Sequence, residues 1–313
     1  MQLFLTTISR MLFLFALLAV GFLLVKLKVL NVESAGVLSR LENAILVPAL
    51  VMGTFIKGFT VESLKQSWKI FLAGIIVIGL TAPLAVLLAR FCSKDGYIRR
   101  IFTYGLAFSN FGFMGNAVVS ALFPEIFADY LIFTLPFWAL IQLWGVPVLL
   151  IAGDGEGRSL KKSLKNLCNP MMIGMLIGMV IGISGIPLPD WTVALVNDTG
   201  ACMSPIAMIL TGITVAGIDL KATLTNLRIY AVSALRLLAI PLLAVAVLYF
   251  LPLSDSIKIC TVCSLAMPLG LNTVVIPAAY GRDTSVAAGM ALISHTLSCA
   301  TIPVVFLLLT MVL

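Results

Sequence analysis

Two short stretches of a very apolar chain carry side chains able to bind a small molecule. Ser109-Asn110-Phe111-Gly112-Phe113-Met114-Gly115-Asn116 sets two amides beside two glycines, and Met267-Pro268-Leu269-Gly270-Leu271-Asn272-Thr273 sets a proline, a glycine, an amide and a hydroxyl together. Glycine loosens a helix, and an Asn amide both donates and accepts, so it can replace lost backbone partners or hold a ligand. Pro268 lacks a backbone N–H and leaves a carbonyl free. We assign Asn110, Gly112, Gly115, Asn116, Pro268, Asn272 and Thr273 to a binding or crossover region. This chemistry is hydrogen bonding and charge stabilisation, with no covalent step.

Few ionisable residues are placed to assist. Arg236 lies about two turns into an apolar stretch. It reads as a counter-charge for an anion, as a donor pinning helix carbonyls, or as a cation reaching back to the interface. His295 is the only histidine; it suits proton coupling or a neutral interhelical hydrogen bond. Gln142 and Ser298, 156 residues apart, could face one central site or serve packing. Asp219 is a candidate gate, although Glu42, Lys57 and Asp219 all read first as interface charges. No carboxylate is expected deep in the core, so a sodium site would draw on carbonyls, Asn, Ser and Thr.

Other chemistries find no constellation. A lone histidine without a deep acid offers neither paired carboxylates nor a nucleophile with its base, so no enzyme is expected. Cys260 and Cys263 have CxxC spacing, yet no second pair or histidine completes a metal site, and the six cysteines read as small packing residues. No cofactor or metal is expected; coupling would fall to a proton or sodium ion. A net charge of +7 without a basic, aromatic-interleaved stripe does not point to nucleic acid.

What positions these residues is a set of membrane helices. Apolar residues make up 61% of the 313 and charged residues 11%, against roughly 45–50% and about 25% in soluble domains. So few charges cannot cover a soluble protein of this size. The apolar blocks run roughly 3–25, 43–59, 70–90, 100–122, 130–152, 170–187, 192–217, 229–251, 258–280 and 285–312. They are too long for strands and lack alternation, which predicts ten spanning helices. Arg10 lies inside the first block and no small-residue cleavage site follows it, so that block reads as a span rather than a signal. With the N-terminus outside, fourteen Lys and Arg fall in inside loops and five outside, which predicts both termini extracellular in the cell membrane.

The polar stretch 153–169 divides the spans into two sets of five: a first repeat over 1–152, a cytoplasmic linker over 153–169 and a second repeat over 170–313. Pro48 and Pro205 are 157 apart, Pro83 and Pro241 158, Pro147 and Pro303 156, and Asn116-Ala-Val-Val matches Asn272-Thr-Val-Val at 156. Five spans per half force the second repeat to enter from the opposite face, as in inverted-repeat transporters. The expected fold is all-α, with broken helices 4 and 9 crossing at mid-membrane. Inverted halves argue for switching rather than a static pore.

These segments resemble the auxin efflux carrier family, in its bacterial branch. The resemblance runs through NAILVPALVMGTF (Asn43–Phe55), SNFGFMGNAVVSALFP (Ser109–Pro124), NPMMIGMLIGMVIG (Asn169–Gly182), MSPIAMILTGITVAG (Met203–Gly217), AMPLGLNTVVIPAAYGRD (Ala266–Asp283) and TIP (Thr301–Pro303). It implies the fold shared with bile-acid sodium symporters and sodium/proton antiporters. Helices 1, 2, 6 and 7 would form a scaffold, and helices 3–5 and 8–10 a transport unit. It also implies a small organic anion as substrate, such as auxin or a dicarboxylate like malate or malonate, moved across the plasma membrane by proteins that are often homodimers. A sodium-coupled symporter of bile-acid type is the alternative. One departure stands out: family members often carry proline where this chain has Asn116, which makes its crossing less symmetric.

Overall fold

The computed structural model describes residues 2–151, 170–217, 225–279, 282–311 and 313. The described residues are helical, with no strand among them. In chain order the helices are α1 (Gln2–Lys26), α2 (Ser34–Gly58), α3 (Val61–Cys92), α4 (Gly96–Ala107), α5 (111–122), α6 (Pro124–Ile151), α7 (Pro170–Ser184), α8 (Asp190–Ala216), α9 (Leu227–Tyr249), α10 (Asp255–Ala266), α11 (Asn272–Ala279) and α12 (Ser285–Leu309). Six are long and apolar enough to cross a membrane: α2, α3 from Ser67 to Cys92, α6, α8, α9 and α12. Leu12–Lys26 and α7 are shorter apolar helices. The expected fourth and ninth spans are each two short helices, α4 with α5 and α10 with α11, joined by non-helical links. The linker 153–169 and Asp219 lie outside the described residues.

Prolines accompany three of the irregular turns. The wide i→i+5 turn Glu42–Leu46 in α2 ends just before Pro48, and Leu235–Ala239 in α9 ends just before Pro241. The wide stretch Ile141–Ile151 of α6 contains Pro147. Proline removes a donor and presses on the carbonyl one turn back; widening the turn relieves that clash.

Glycines set which helices touch. On α7, Gly174, Gly178 and Gly182 repeat every fourth residue. A Cβ there would come within 2.7 Å of Pro48 O, 2.6 Å of Met52 O and 2.5 Å of Phe55 O. Gly21 of α1 abuts Ile209 O, and Gly212 of α8 abuts Leu18 O, too closely for any side chain. Small residues let backbones approach where lipid supplies no hydrophobic drive. So α1 packs on α8, and α2 on α7 and α8, while α3 packs on α4 and α6, and α9 on α10 and α12. Outward-facing Leu80, Phe91, Val180 and Trp191 are exposed, an apolar surface suited to lipid.

Two sequence expectations are corrected here. Helix α2 begins at Ser34 rather than near 43, because Arg40 sits on an exposed face that lets the helix continue. Glu42 therefore lies two turns inside a span and is fully buried: it is a deep carboxylate, not an interface charge.

Candidate functional site

The two breaks meet. Helix α4 is capped at its start by Asp95, whose side chain accepts from Ile98 N–H at 2.8 Å, and ends at Ala107. Phe108 is extended at its end, and Met267 is extended after α10. Ser109 and Leu269 form an antiparallel bridge, and Asn110 N–H donates to Pro268 O at 2.7 Å. Two extended links thus cross and satisfy each other's backbone where helical bonding has lapsed. Pro268 serves here through the carbonyl it leaves available. Gly270 keeps the links close, since a Cβ would lie 3.3 Å from Phe108 O and from Ser109 O.

The break falls at 108–110, earlier than the glycines suggest. Phe111–Gly115 instead forms a wide turn, closed by Gly115 N–H donating to Asn110 O at 2.9 Å. Gly115 is required because a Cβ would strike the Tyr130 hydroxyl, itself donating to Phe111 O at 3.1 Å. Asn116 follows that turn, buried, and does not line the cleft described below.

Four half-helix ends converge, and their charges are sorted. The final carbonyls of α4 and α10 have no helical partners, and helix C-termini carry partial negative charge. Arg236, fully buried, lies between them. Its Nη1 donates to Leu106 O at 2.8 Å, Nη2 to Ser264 O at 3.2 Å and Nε to Met267 O at 3.2 Å. Ser109 Oγ adds a bond to Ser264 O at 2.6 Å. Of the three sequence readings, these bonds make Arg236 a pin at the negative ends; it neither reaches the interface nor lines the cleft.

The N-terminal ends of α5 and α11 open on a small cleft. Its walls include Tyr104, Asn110, Gly112, Trp138, Gly270 and Asn272. Asn272 Nδ2 donates to the Tyr104 hydroxyl at 3.1 Å. Trp138 lies over Gly112, where a Cβ would come within 2.5 Å of the indole. The free space is about enough for a single water molecule, against roughly 300–1,000 Å³ in ordinary ligand pockets, so this cleft is contracted. A ligand larger than water would need Trp138 and the crossing to part.

His295 stands behind the cleft, buried on α12. Its Nδ1 lies 2.8 Å from Ala291 O, and its Nε2 lies 3.0 Å from Asn110 Nδ2. A carbonyl only accepts, so Nδ1 carries the hydrogen and Nε2 accepts from the Asn110 amide. A proton on Nε2 would face that NH₂ group and make Asn110 turn its oxygen toward the ring. His295 thus sets which face Asn110 presents to the cleft.

The remaining candidates are turned elsewhere. Thr273 Oγ1 donates to Gly270 O at 2.8 Å, bracing the start of α11, and Ser298 Oγ donates to His295 O at 2.7 Å within α12. Gln142 is half-buried in the wide turn after Ile141. Asn110, Gly112 and Asn272 share the cleft, with Pro268 and His295 against it and Arg236 at the opposite pole. Tyr104, Ser109, Trp138 and Ser264 belong to this site too. Nothing in the sequence separates these two aromatic rings and two hydroxyls from others in apolar spans. Among the described residues, no group of three or more His, Cys, Asp or Glu gathers to hold a metal.

A family model described as a membrane transport protein matches residues 6–306. No curated protein matches the chain significantly.

Proposed function

The chain belongs to this membrane transport family, the auxin efflux carrier family, and from that premise we propose that it is a secondary transporter carrying a small organic anion through the helix crossing. The observation that carries this reading is the sorting of helix ends. The starts of α5 and α11, at Phe111, Gly112, Leu271 and Asn272, line one cleft beside the amides of Asn110 and Asn272, and helix N-termini carry partial positive charge. Such ends favour negative charge, and Arg236 occupies the opposite ends, where it cannot neutralise an incoming anion directly.

The packing supports an alternating-access cycle. The chain reads as two inverted five-span repeats, with α1, α2, α7 and α8 as the scaffold. Helices α3–α6 and α9–α12 form the moving unit around the crossing. A contracted cleft fits an occluded stage of that cycle. The protein sits in the plasma membrane with both termini outside, following the distribution of Lys and Arg, and works as a homodimer.

Purified protein in liposomes is expected to take up labelled malate or indole-3-acetate. Asn110→Ala and Asn272→Ala, which delete bonds to a charged ligand worth about 1.5–3 kcal/mol each, should slow uptake roughly ten- to a hundredfold while the protein stays folded. If neither probe nor a wider panel of organic acids moves, the substrate class is wrong. Wild-type uptake by the double variant would remove the cleft from the mechanism. Loss of uptake when potassium replaces sodium would instead favour a sodium symporter of bile-acid type.

A further inference from the structure

Glu42 takes no part in the crossing, yet it is the most anomalous polar group in the scaffold. Its side chain is 0% exposed, and neither carboxylate oxygen has a hydrogen-bond partner. The residue opens the wide turn Glu42–Leu46. Its own N–H is bonded back to Leu38 O and Ser39 O, and its carbonyl accepts from Val47 N–H. The backbone is therefore satisfied and the carboxyl alone is left over. Wide turns of this kind recur at functional positions.

The surroundings offer nothing to hold a negative charge. The turn packs against α7 and both halves of α8. Helix α7 and the Met203–Ala216 half of α8 carry no charged residue. The Asp190–Ala201 half carries Asp190 and Asp198, both exposed and both acidic. On α2 and just before it, Glu33, Arg40 and Lys57 are exposed, and none of these groups bonds the carboxyl. A bare carboxylate in apolar surroundings costs many kcal/mol and does not persist without a donor or a cation. A metal cation would need several converging oxygens, and no cluster of acidic or metal-binding side chains forms among the described residues. A proton needs only the carboxyl itself.

We propose that Glu42 is a proton-binding site of the scaffold, carrying its proton in the conformation seen here. The site is separate from His295, which lies on α12 behind the cleft. Its protonation does not rest on the transport reading; only its use as a coupling site would.

Infrared spectroscopy of the reconstituted full-length protein at neutral pH tests this directly. Wild type is expected to show the C=O stretch of a protonated carboxylic acid, and Glu42→Gln to lack that component while folding as well as wild type, because Gln is a neutral isostere. Identical acid-region spectra in the two proteins would overturn the proposal. If Glu42→Gln fails to fold, Glu42→Leu replaces it in the same comparison, and identical acid-region spectra there would overturn the proposal. Neither readout depends on any anion being moved, so failure here is distinct from failure of the transport reading.

Discussion

Arg236 and His295 show how a polar group survives inside a membrane protein: Arg236 is bonded to backbone that the crossing has freed, and His295 to Ala291 O on its own helix and to the Asn110 amide. Arg236 spends three donors on carbonyls of α4, α10 and the link after α10. Removing it strands those carbonyls in an apolar interior, at about 1–3 kcal/mol for each unsatisfied group. Arg236→Met is therefore expected to lower the thermal midpoint sharply, with loss of folded protein. Arg236→Lys, which keeps the charge but loses the planar fork, should fall between Met and wild type. A Met variant as stable as wild type, measured by thermal unfolding in detergent, would show that water replaces the guanidinium. The sequence exposes Arg236 as an intramembrane charge but leaves its partners open, because all three are main-chain oxygens with no signature in residue type.

At the scale of the helix, glycines and prolines decide geometry. Gly74 of α3 abuts Phe133 O of α6, backbone against backbone, whereas Gly79 one turn later has nothing within 4 Å. Gly74→Ala must push two helices apart and should destabilise the protein by about 1–3 kcal/mol, as overpacking does. Gly79→Ala gains helix propensity and should be neutral or stabilising by up to about 1 kcal/mol. Paired thermal unfolding of the two variants reads the difference. The prolines were legible as repeat markers, but the wide turns they accompany were not. Pro48 and Pro241 are preceded by such a turn, while their repeat partners Pro205 and Pro83 are not.

For the whole molecule, the inside–outside asymmetry of Lys and Arg implies one orientation. In a cysteine-free background, an impermeant thiol reagent added to intact cells should label Ser254→Cys, in the exposed link before α10, and spare Asn31→Cys, in the exposed link before α2. The reverse pattern would invert the topology and place the termini inside. The same scale shows why six helices reach spanning length while α4, α5, α10 and α11 do not. The short helices are shielded from lipid by their neighbours, so their broken backbone is paid for by mutual bonding at the crossing rather than by length.

Composition alone settled that this is a multi-pass membrane protein. Hydropathy placed the helical blocks, and two polar stretches marked where helices would break; those properties follow from residue type and local spacing. Tertiary structure decided the rest. It placed the first break at 108–110 and turned Phe111–Gly115 into a wide turn, because Asn110 finds Pro268 more than a hundred and fifty residues away. It sent Arg236 to the negative helix ends and set His295 against Asn110. It also buried Glu42, which the charge pattern reads as a surface group, because α2 starts earlier than its apolar run and packs against α7 and α8. Each outcome depends on which distant backbone or face arrives as the partner, and no local pattern of residues encodes that.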